Sequence, residues 1–305
     1  MKISITYLYV ILRYGYPHRI EDVFRALPDI RKLGFHYVEM EGLGARHLRS
    51  MYSNRNRLLK TLDDLGLHVH NFCIVEPELV SLNPAKRERA IDLFKVGAEL
   101  GHLLGVETLH LASYTPPVHY LKAKPYQLRG GKSYQFVNST QVRIPRGFDW
   151  DCVWNALVDS CQRCADVSAQ YGKTVIMEPR VGEVICSVDS LLRLIEYVQR
   201  RNFKANFDTG HFSAQRENIP LALAKLRGHF ANIHISDNDP ADSDHLPIGE
   251  GTIDWSEFFR VLKNMKYDGF LGLDLGPSRS MRDDYRKSVE RVMSVACDLG
   301  LTVEI

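Results

Sequence analysis

The chain of 305 residues contains 39 Lys and Arg residues against 37 Asp and Glu residues, so its net charge is only +2. Such a small charge provides no strong positive field, which argues against a polyanionic partner such as nucleic acid. No apolar run approaches the roughly 18 residues that a membrane-spanning helix needs, and the N-terminus lacks the cleavage pattern of a signal peptide. We therefore expect a cytoplasmic protein with no membrane association.

Eight strand-then-helix pairs follow one another along the chain. The predicted strands cover residues 3–9, 36–42, 68–74, 107–113, 174–179, 204–210, 230–236 and 270–276. The principal predicted helices cover residues 20–33, 53–65, 84–104, 187–200, 218–227, 254–265 and 282–299, and a further segment of helical spacing follows residue 150. This alternation predicts a (β/α)8 TIM barrel formed by a single domain, residues 1–305. An open doubly wound sheet is the alternative, but the glycine-rich turn that normally follows its first strand is missing.

One long insertion interrupts the fourth pair. Residues 114–149 contain four prolines and three glycines and show no sustained periodicity. Because the insertion follows a strand, a barrel would place it on the catalytic face, where we expect a lid or a wall of the substrate site.

The cysteines predict no disulfide framework, because six of them in a chain of this length are too few and the chain shows no secretory signal. Cys161 and Cys164 form a CxxC pair inside a segment of helical spacing, and no second pair accompanies them. We interpret this pair as helix packing and all six residues as free thiols.

Four late predicted strands each end in a residue of a type able to bind a divalent cation: Glu178, Asp208, His234 and Asp274. In a parallel barrel such strand ends converge on one face. Carboxylates with one imidazole form a hard, oxygen-rich ligand set, which suits Mn²⁺ and also accepts Mg²⁺, Co²⁺ or Zn²⁺. The sequence therefore predicts one divalent cation, with Mn²⁺ as the preferred metal.

Several motifs around these residues resemble those of the xylose-isomerase-like TIM barrels, the sugar phosphate isomerase/epimerase superfamily. They are EP in TVIMEPRVG, D-x-G-H in NFDTGH, H-x-S-D-N in NIHISDND, and HLPIGEGTIDW. The resemblance implies that Glu178, Asp208 and His234 are metal ligands and that His211 and His245 lie near the substrate. The fourth ligand of the family is usually Glu, whereas this chain has Asp274.

The resemblance implies a metal-dependent sugar isomerase or epimerase that removes a proton next to the carbonyl of a ketose or keto-sugar. The candidate catalytic residues are Glu178, His211, His245 and Asp274. The candidate substrate-binding residues are Arg180, His211, His245, Glu41 and Trp150. We expect a small-molecule sugar substrate and a homo-oligomer.

Other functions remain open. The insertion, the EPR sequence and Asp274 resemble the catalytic subunit of C-glycoside deglycosidases, lyases that eliminate an aglycone from a 3-keto sugar and form a hetero-oligomer with a small subunit. A metal-dependent apurinic-site endonuclease is suggested by four histidines that lie near the additional zinc ligands of that branch: His70, His110, His211 and His245. The balanced charge argues against the nuclease. A non-enzymatic, metal-stabilised binding barrel is the remaining alternative.

Overall fold

In the computed structural model, eight parallel strands form a closed barrel, which confirms the predicted (β/α)8 fold. The structure describes residues 1–121, 141–239, 243–278 and 280–305, together with the backbone of residues 127–129 and 133–135. The barrel strands are β1 (Lys2–Ile5), β2 (Tyr37–Leu43), β3 (His68–Val75), β4 (Thr108–Ala112), β5 (Thr174–Glu178), β6 (Phe203–Asp208), β7 (Phe230–Ile235) and β8 (Phe270–Leu273). Each strand pairs with its neighbours in sequence order, and β8 closes the barrel against β1.

The described residues form eleven α-helices and one short 3₁₀-helix, Pro77–Val80. The α-helices are α1 (Leu8–Tyr14), α2 (Ile20–Lys32), α3 (Gly44–Ser53), α4 (Arg55–Leu65), α5 (Pro84–Leu103), α6 (Trp150–Ala169), α7 (Val188–Val198), α8 (Thr209–Ala214), α9 (Ile219–Lys225), α10 (Trp255–Met265) and α11 (Met281–Asp298). Local sequence sets their ends. Asn83 caps α5 by accepting hydrogen bonds from two backbone N–H groups, and Gly66 ends α4 at φ +61°. No helix in the described part of the chain is long and apolar enough to cross a membrane.

The strands place apolar and polar side chains on opposite faces. Phe207 and Ile233, for example, are fully buried in the apolar core between the barrel and its helices. Their neighbours Asn206 and Asn232 are also buried but hydrogen-bond to each other, with the Nδ2 atom of Asn232 3.0 Å from the Oδ1 atom of Asn206. Because side chains alternate along a strand, this pattern gives a polar barrel interior that leads up to the strand ends.

The first strand is shorter than predicted. The sequence predicts a strand over residues 3–9, but β1 ends at Ile5 and α1 begins at Leu8. The run of Leu8 to Leu12 is apolar throughout, and periodicity alone does not distinguish a buried strand from a buried helix in such a run. Leu8, Ile11 and Leu12 pack together with Met281, as residues three and four positions apart do on one helix face. The short helices α3 and α8 were not predicted either.

The described parts of the insertion form two short antiparallel pairs. Residues His119–Tyr120 pair with Val142–Arg143, and Gln127–Arg129 pair with Ser133–Gln135. Residues 122–126, 130–132 and 136–140 lie outside the described residues, so the predicted lid or wall stays a prediction. The CxxC pair lies in α6, where Cys161 and Cys164 are buried, and all six cysteines are free thiols, as expected.

Candidate active site and metal centre

The four predicted metal ligands lie at the carboxyl ends of four consecutive strands. Glu178 and Asp208 are the last residues of β5 and β6, His234 is the penultimate residue of β7, and Asp274 directly follows β8. All four are buried. The barrel thus brings the strand ends together on one face, as the sequence predicts.

Three of these side chains direct their ligand atoms at a common point. The Nδ1 atom of His234 lies 2.9 Å from Oε1 of Glu178 and 3.5 Å from Oδ2 of Asp208. Both Nδ1 of His234 and Oδ2 of Asp208 are buried and lack a hydrogen-bond partner in the described part of the chain. Leaving two buried polar atoms unpaired is costly, and one cation among the three side chains would satisfy both. The residues therefore fit a divalent metal.

The carboxylates around His234 favour positive charge at this point, whether on the imidazole or on a cation. Burial alone would lower the pKa of His234, but the carboxylates of Glu39, Asp208 and Glu178 raise it well above its usual value. Burial would raise the pKa of Glu178, yet Arg180 and the neighbouring histidines hold it well below its usual range. The carboxylates are therefore in the ionised form that binds metal, and they provide a concentration of negative charge.

A further carboxylate holds the ring of His234 in place. Oε2 of Glu39 lies 2.9 Å from Nε2 of His234, the nitrogen that faces away from Glu178 and Asp208. Glu39 is itself held by the side-chain amides of Asn71 at 2.8 Å and Asn232 at 3.1 Å. Carboxylates that hydrogen-bond the second nitrogen of a metal-binding histidine fix its orientation and raise its basicity. Glu39 is not among the site residues predicted from the sequence.

Asp274 has two contacts of its own. Its Oδ1 atom accepts a 2.6 Å hydrogen bond from Thr6, and its Oδ2 atom lies 3.0 Å from Nδ1 of His245. None of the clusters of potential metal ligands among the described residues includes Asp274. Its position as a fourth ligand stays a prediction, whereas its contact with His245 is a feature of the structure.

His211 and His245 lie side by side, with ring centroids 4.9 Å apart. The hydroxyl of Ser243 joins them, at 3.2 Å from Nδ1 of His211 and 3.2 Å from Nε2 of His245. Burial lowers the pKa of His211 to about 4. Burial acts in the same direction on His245, but the Asp274 carboxylate outweighs it and raises the pKa to about 9. At neutral pH a neutral and a charged imidazole are therefore in contact through one hydroxyl.

The structure also forms two other clusters of potential ligands. One combines Asp208 with His211 and His245, and the other combines Glu39 and His234 with His110. The fourth histidine of the nuclease alternative, His70, is not in either cluster and stacks on the ring of Phe270 at 3.9 Å. A nuclease with several metal ions could use these additional clusters, so the number of metal ions bound per chain tests the nuclease alternative.

A small cavity opens onto the metal-ligand cluster. Its wall includes Glu41, Arg180 and Asp274, together with Leu8 and Ile11 of α1. Its volume is about 50 Å³, which leaves room for a cation and water but is far below the 300–1,000 Å³ or so of typical ligand sites. A cavity of this volume would not hold a sugar without movement of part of its wall.

The predicted substrate-binding residues divide into three groups. Arg180 and Glu41 line the cavity, and Nε of Arg180 lies 2.5 Å from Oε2 of Glu178. Burial raises the pKa of Glu41 to about 7, against the opposing charge of Arg180. His211 and His245 are not part of the cavity wall in this conformation and contact the strand-end carboxylates instead. Trp150 is 40% exposed at the start of α6 and does not line the cavity.

Comparison with known proteins agrees with this geometry. A sequence profile of the xylose isomerase-like TIM barrel matches residues 27–295. L-ribulose-5-phosphate 3-epimerase UlaE from Salmonella paratyphi A is 23% identical over 246 residues, which cover 78% of this chain and 77% of that protein.

Solved structures share the fold over nearly the whole chain. The crystal structure of a D-tagatose 3-epimerase-like protein has a TM-score of 0.75 at 19% identity, and the match covers 98% of each chain. The 3-keto-D-glucoside 4-epimerase YcjR from E. coli has a TM-score of 0.71 at 17% identity, covering 96% of this chain and 99% of that one. The sequence relative and these structures have names that describe sugar epimerases. The profile match and the convergent strand ends together show that the chain belongs to the xylose isomerase-like TIM barrel family.

Proposed function

We propose that the protein is a divalent-metal-dependent sugar epimerase or isomerase that removes a proton from the carbon next to the carbonyl of a ketose or keto-sugar. The observation that supports this most directly is the convergence of Glu178, Asp208 and His234, with two buried ligand atoms that no described residue satisfies. The names of its sugar-epimerase relatives support the substrate class.

Glu178, Asp208 and His234 are the proposed holders of the metal, with Asp274 as the proposed fourth ligand and Mn²⁺ as the preferred ion. A bound divalent cation polarises a sugar carbonyl and acidifies the adjacent C–H group. Glu39 keeps the ring of His234 oriented so that Nδ1 faces the site.

The remaining steps are proton transfers by side chains of the chain itself. Glu178 lines the cavity as a carboxylate and is the proposed base. Asp274 also lines the cavity, and its contact with the charged ring of His245 links a second carboxylate to a proton donor. In the proposed reaction, Glu178 removes the proton from one face of the carbon. When the Asp274–His245 pair returns a proton to the opposite face of the same carbon, that carbon is inverted. When a proton returns to the neighbouring carbon instead, the sugar is isomerised.

Two other residues have proposed roles in substrate binding. Arg180 presents a guanidinium group beside Glu178, where it limits the movement of the base and offers donors to a sugar oxygen. Glu41 titrates near neutrality, so its carboxyl group accepts or donates a hydrogen bond to a hydroxyl according to pH.

Proton NMR in D₂O tests the proposal. The Mn²⁺-loaded protein is incubated in D₂O with a panel of ketoses and 3-keto-glycosides, and the paramagnetic ion is removed with a chelator before the spectra are recorded. We expect deuterium incorporation next to the carbonyl, accompanied by a new epimer or isomer, and at least a hundredfold loss of this exchange in Glu178→Gln. A complete panel without exchange by the metal-loaded wild-type protein would overturn the proposal.

The same experiment separates the lyase alternative. Elimination begins with the same proton removal, so exchange alone does not distinguish the two reactions. Release of an aglycone from a 3-keto-glycoside identifies a lyase of the C-glycoside deglycosidase type. The contact between Asp274 and His245 is also compatible with the lyase, because a charged imidazole can protonate a leaving group.

A further inference from the structure

Asn238, the last residue of the H-x-S-D-N motif, has no role in the reaction as described so far. It lies three residues after the end of β7 and is fully buried. Its side chain is not part of the catalytic cavity wall. An effect of Asn238 on the reaction would therefore pass through the residues that it contacts.

The side-chain amide of Asn238 joins two segments of the site. Its Oδ1 atom accepts hydrogen bonds from the backbone N–H groups of Asp244 at 2.9 Å and His245 at 3.3 Å. Its Nδ2 atom donates a 3.1 Å hydrogen bond to the backbone carbonyl of Gly210. Two donors at one end and an acceptor at the other fix the orientation of the amide. Asn238 thus ties the segment of His245 to the residue before His211.

His245 needs such support because of its backbone conformation. Its φ is +52°, in the left-handed region that residues other than glycine rarely adopt and that persists only where neighbouring groups hold it. The N–H group of His245 is held by Asn238, and its carbonyl accepts a 2.7 Å hydrogen bond from the backbone N–H of Gly276. Loss of the Asn238 side chain would leave this strained residue without the first of these two bonds.

The ring of His245 is held between Asp274 and Gly210. Its Nδ1 atom lies 3.0 Å from Oδ2 of Asp274 and 3.0 Å from the backbone oxygen of the same residue. Gly210 packs closely against the ring, since a Cβ atom there would lie 3.2 Å from both Cε1 and Nδ1 of His245. Asn238 therefore bonds both to the backbone that carries the ring and to the residue that packs against it.

Asn238 is itself firmly anchored, as a residue that positions another must be. Its backbone carbonyl accepts a 3.0 Å hydrogen bond from the N–H of Thr252. The preceding residue, Asp237, accepts hydrogen bonds from the indole N–H of Trp255 at 2.8 Å and the backbone N–H of Gly249 at 2.7 Å. These bonds connect Asn238 to the start of α10, outside the catalytic cavity.

We propose that Asn238 is a positioning residue that holds His245 against Asp274, so that this pair returns the proton in the reaction. The inference rests on the proposed function. Glu178 gains the proton that the carbon loses, the imidazolium of His245 supplies a proton through Asp274, and exchange with solvent restores both groups. Loss of Asn238 should impair the return of the proton more than its removal, because Glu178 lies on β5 and is held there by Asn206 at 2.9 Å.

The substitution Asn238→Leu tests this separation of the two steps in D₂O. A proton taken by Glu178 exchanges with solvent, so return by Glu178 labels the starting sugar with deuterium, whereas return by the Asp274–His245 pair gives the labelled product. The substrate is D-tagatose, D-fructose or L-ribulose, whichever the Mn²⁺-loaded wild-type protein converts fastest. We expect the initial ratio of product formation to substrate labelling to fall about tenfold or more, with substrate labelling within about threefold of wild type.

The matched control is Asn202→Ala. Asn202 directly precedes β6, at the opposite end of the barrel, and its amide donates to the backbone carbonyls of Ala165 at 2.8 Å and Lys173 at 3.2 Å. This variant also loses amide hydrogen bonds, but its ratio should equal that of wild type. Asn238→Asp keeps an acceptor for His245 and loses the donor to Gly210, so we expect an intermediate ratio, and this variant decides the test if Asn238→Leu does not fold.

Two results would overturn the inference. One is an unchanged ratio in the folded Asn238 variants. The other is an equal fall of product formation and substrate labelling, which would show that Asn238 only stabilises the fold. A fall of the ratio in Asn202→Ala as large as that in Asn238→Leu would lead to the same conclusion.

A second measurement does not depend on activity and separates this inference from the proposed function. Mass spectrometry follows hydrogen exchange of backbone amides in a peptide that covers residues 243–250. Exchange should be faster in Asn238→Leu than in wild type and unchanged in Asn202→Ala. If the wild-type protein reacts with no sugar, the proposed function falls, and faster exchange in this peptide still supports Asn238 as the residue that holds His245. Sugar conversion with neither measurement altered in the Asn238 variants would remove the inference and leave the proposed function.

Discussion

Nε2 of His234 lies 2.9 Å from a carboxylate oxygen of Glu39, while Nδ1 of the same ring faces Glu178 and Asp208. The two nitrogens thus have different partners, and the contact with Glu39 leaves Nδ1 as the nitrogen that faces the proposed metal site. Glu39 is only two residues from Glu41, so a single strand supplies the carboxylate that contacts His234 and a second carboxyl group in the cavity wall.

The first prediction concerns the metal itself. His234→Ala removes a ligand atom from the centre of the cluster, so we expect loss of bound metal and of C–H exchange. Elemental analysis of the purified protein should give one metal ion per wild-type chain and close to none in the variant. Full occupancy in His234→Ala would place the site elsewhere. Three zinc ions per wild-type chain, with incision of abasic DNA, would instead favour the nuclease.

The second prediction separates Glu39 from its neighbour Glu41. Glu39→Gln keeps the shape of the side chain but removes the charge that orients His234, so we expect a metal affinity about 10 to 100 times weaker. Glu41→Gln is the matched control on the same strand and should leave the affinity unchanged while altering exchange activity. Competition with a fluorescent chelator measures both. Equal affinities of the two variants would contradict the orienting role.

The third prediction concerns the pH dependence of Glu41. Burial raises the pKa of this carboxyl group to about 7, and the charge of Arg180 opposes that rise. Arg180→Gln removes the opposing charge, so the pKa of Glu41 should rise further and its deprotonation should need a higher pH. A titration midpoint near pH 7 in the wild-type exchange profile should shift upward in Arg180→Gln and disappear in Glu41→Gln. A downward shift would show that another group titrates there.

The fourth prediction concerns stability in acid. Burial lowers the pKa of His18 to about 3 in the folded protein, below the value of about 6.5 for an unperturbed histidine. Its contribution to stability is therefore complete above about pH 6.5 and is lost as the pH falls towards 3, because the unfolded chain binds the proton more readily. His18→Phe should flatten the loss of unfolding free energy between pH 6.5 and 4, by up to about 1.4 kcal/mol per pH unit. Urea titrations of this variant and of His36→Phe, at an exposed position directly before β2, give the comparison. Parallel slopes would contradict the burial of His18.

The fifth prediction concerns α1, which forms part of the wall of the proposed catalytic cavity. Met281 packs against Leu8, Ile11 and Leu12, so Met281→Ala should loosen α1 and speed hydrogen exchange at its backbone amides. Met293, an exposed residue of the same helix α11, provides the control Met293→Ala. Mass spectrometry resolves exchange in a peptide that covers residues 8–14. Identical exchange in both variants would show that Met281 does not hold α1.

Much of the fold was predictable because β-branched strands and periodic helices alternate regularly. The convergence of Glu178, Asp208 and His234 was predictable because each lies at a strand end, and strand ends meet in a parallel barrel. The start of α1 was not predictable, because its consecutive apolar residues lack a diagnostic period.

The roles of individual polar side chains were harder to predict. The pairing of β2 with β3 shifts register between Val38 and Glu39, and a strand pattern gives no sign of such a shift. The partners of Glu39 are also far away in the sequence, since His234 follows it by 195 residues.

Gly272 lies next to Glu39 and His234, and the space there leaves no room for a side chain. A Cβ atom at residue 272 would lie 2.8 Å from Oε1 of Glu39 and 3.1 Å from the ring of His234. Even alanine would therefore press on both groups at once. In a library randomised at this codon and selected for turnover, glycine should be retained as strictly as the proposed metal ligands, although it contributes no chemical group to the reaction.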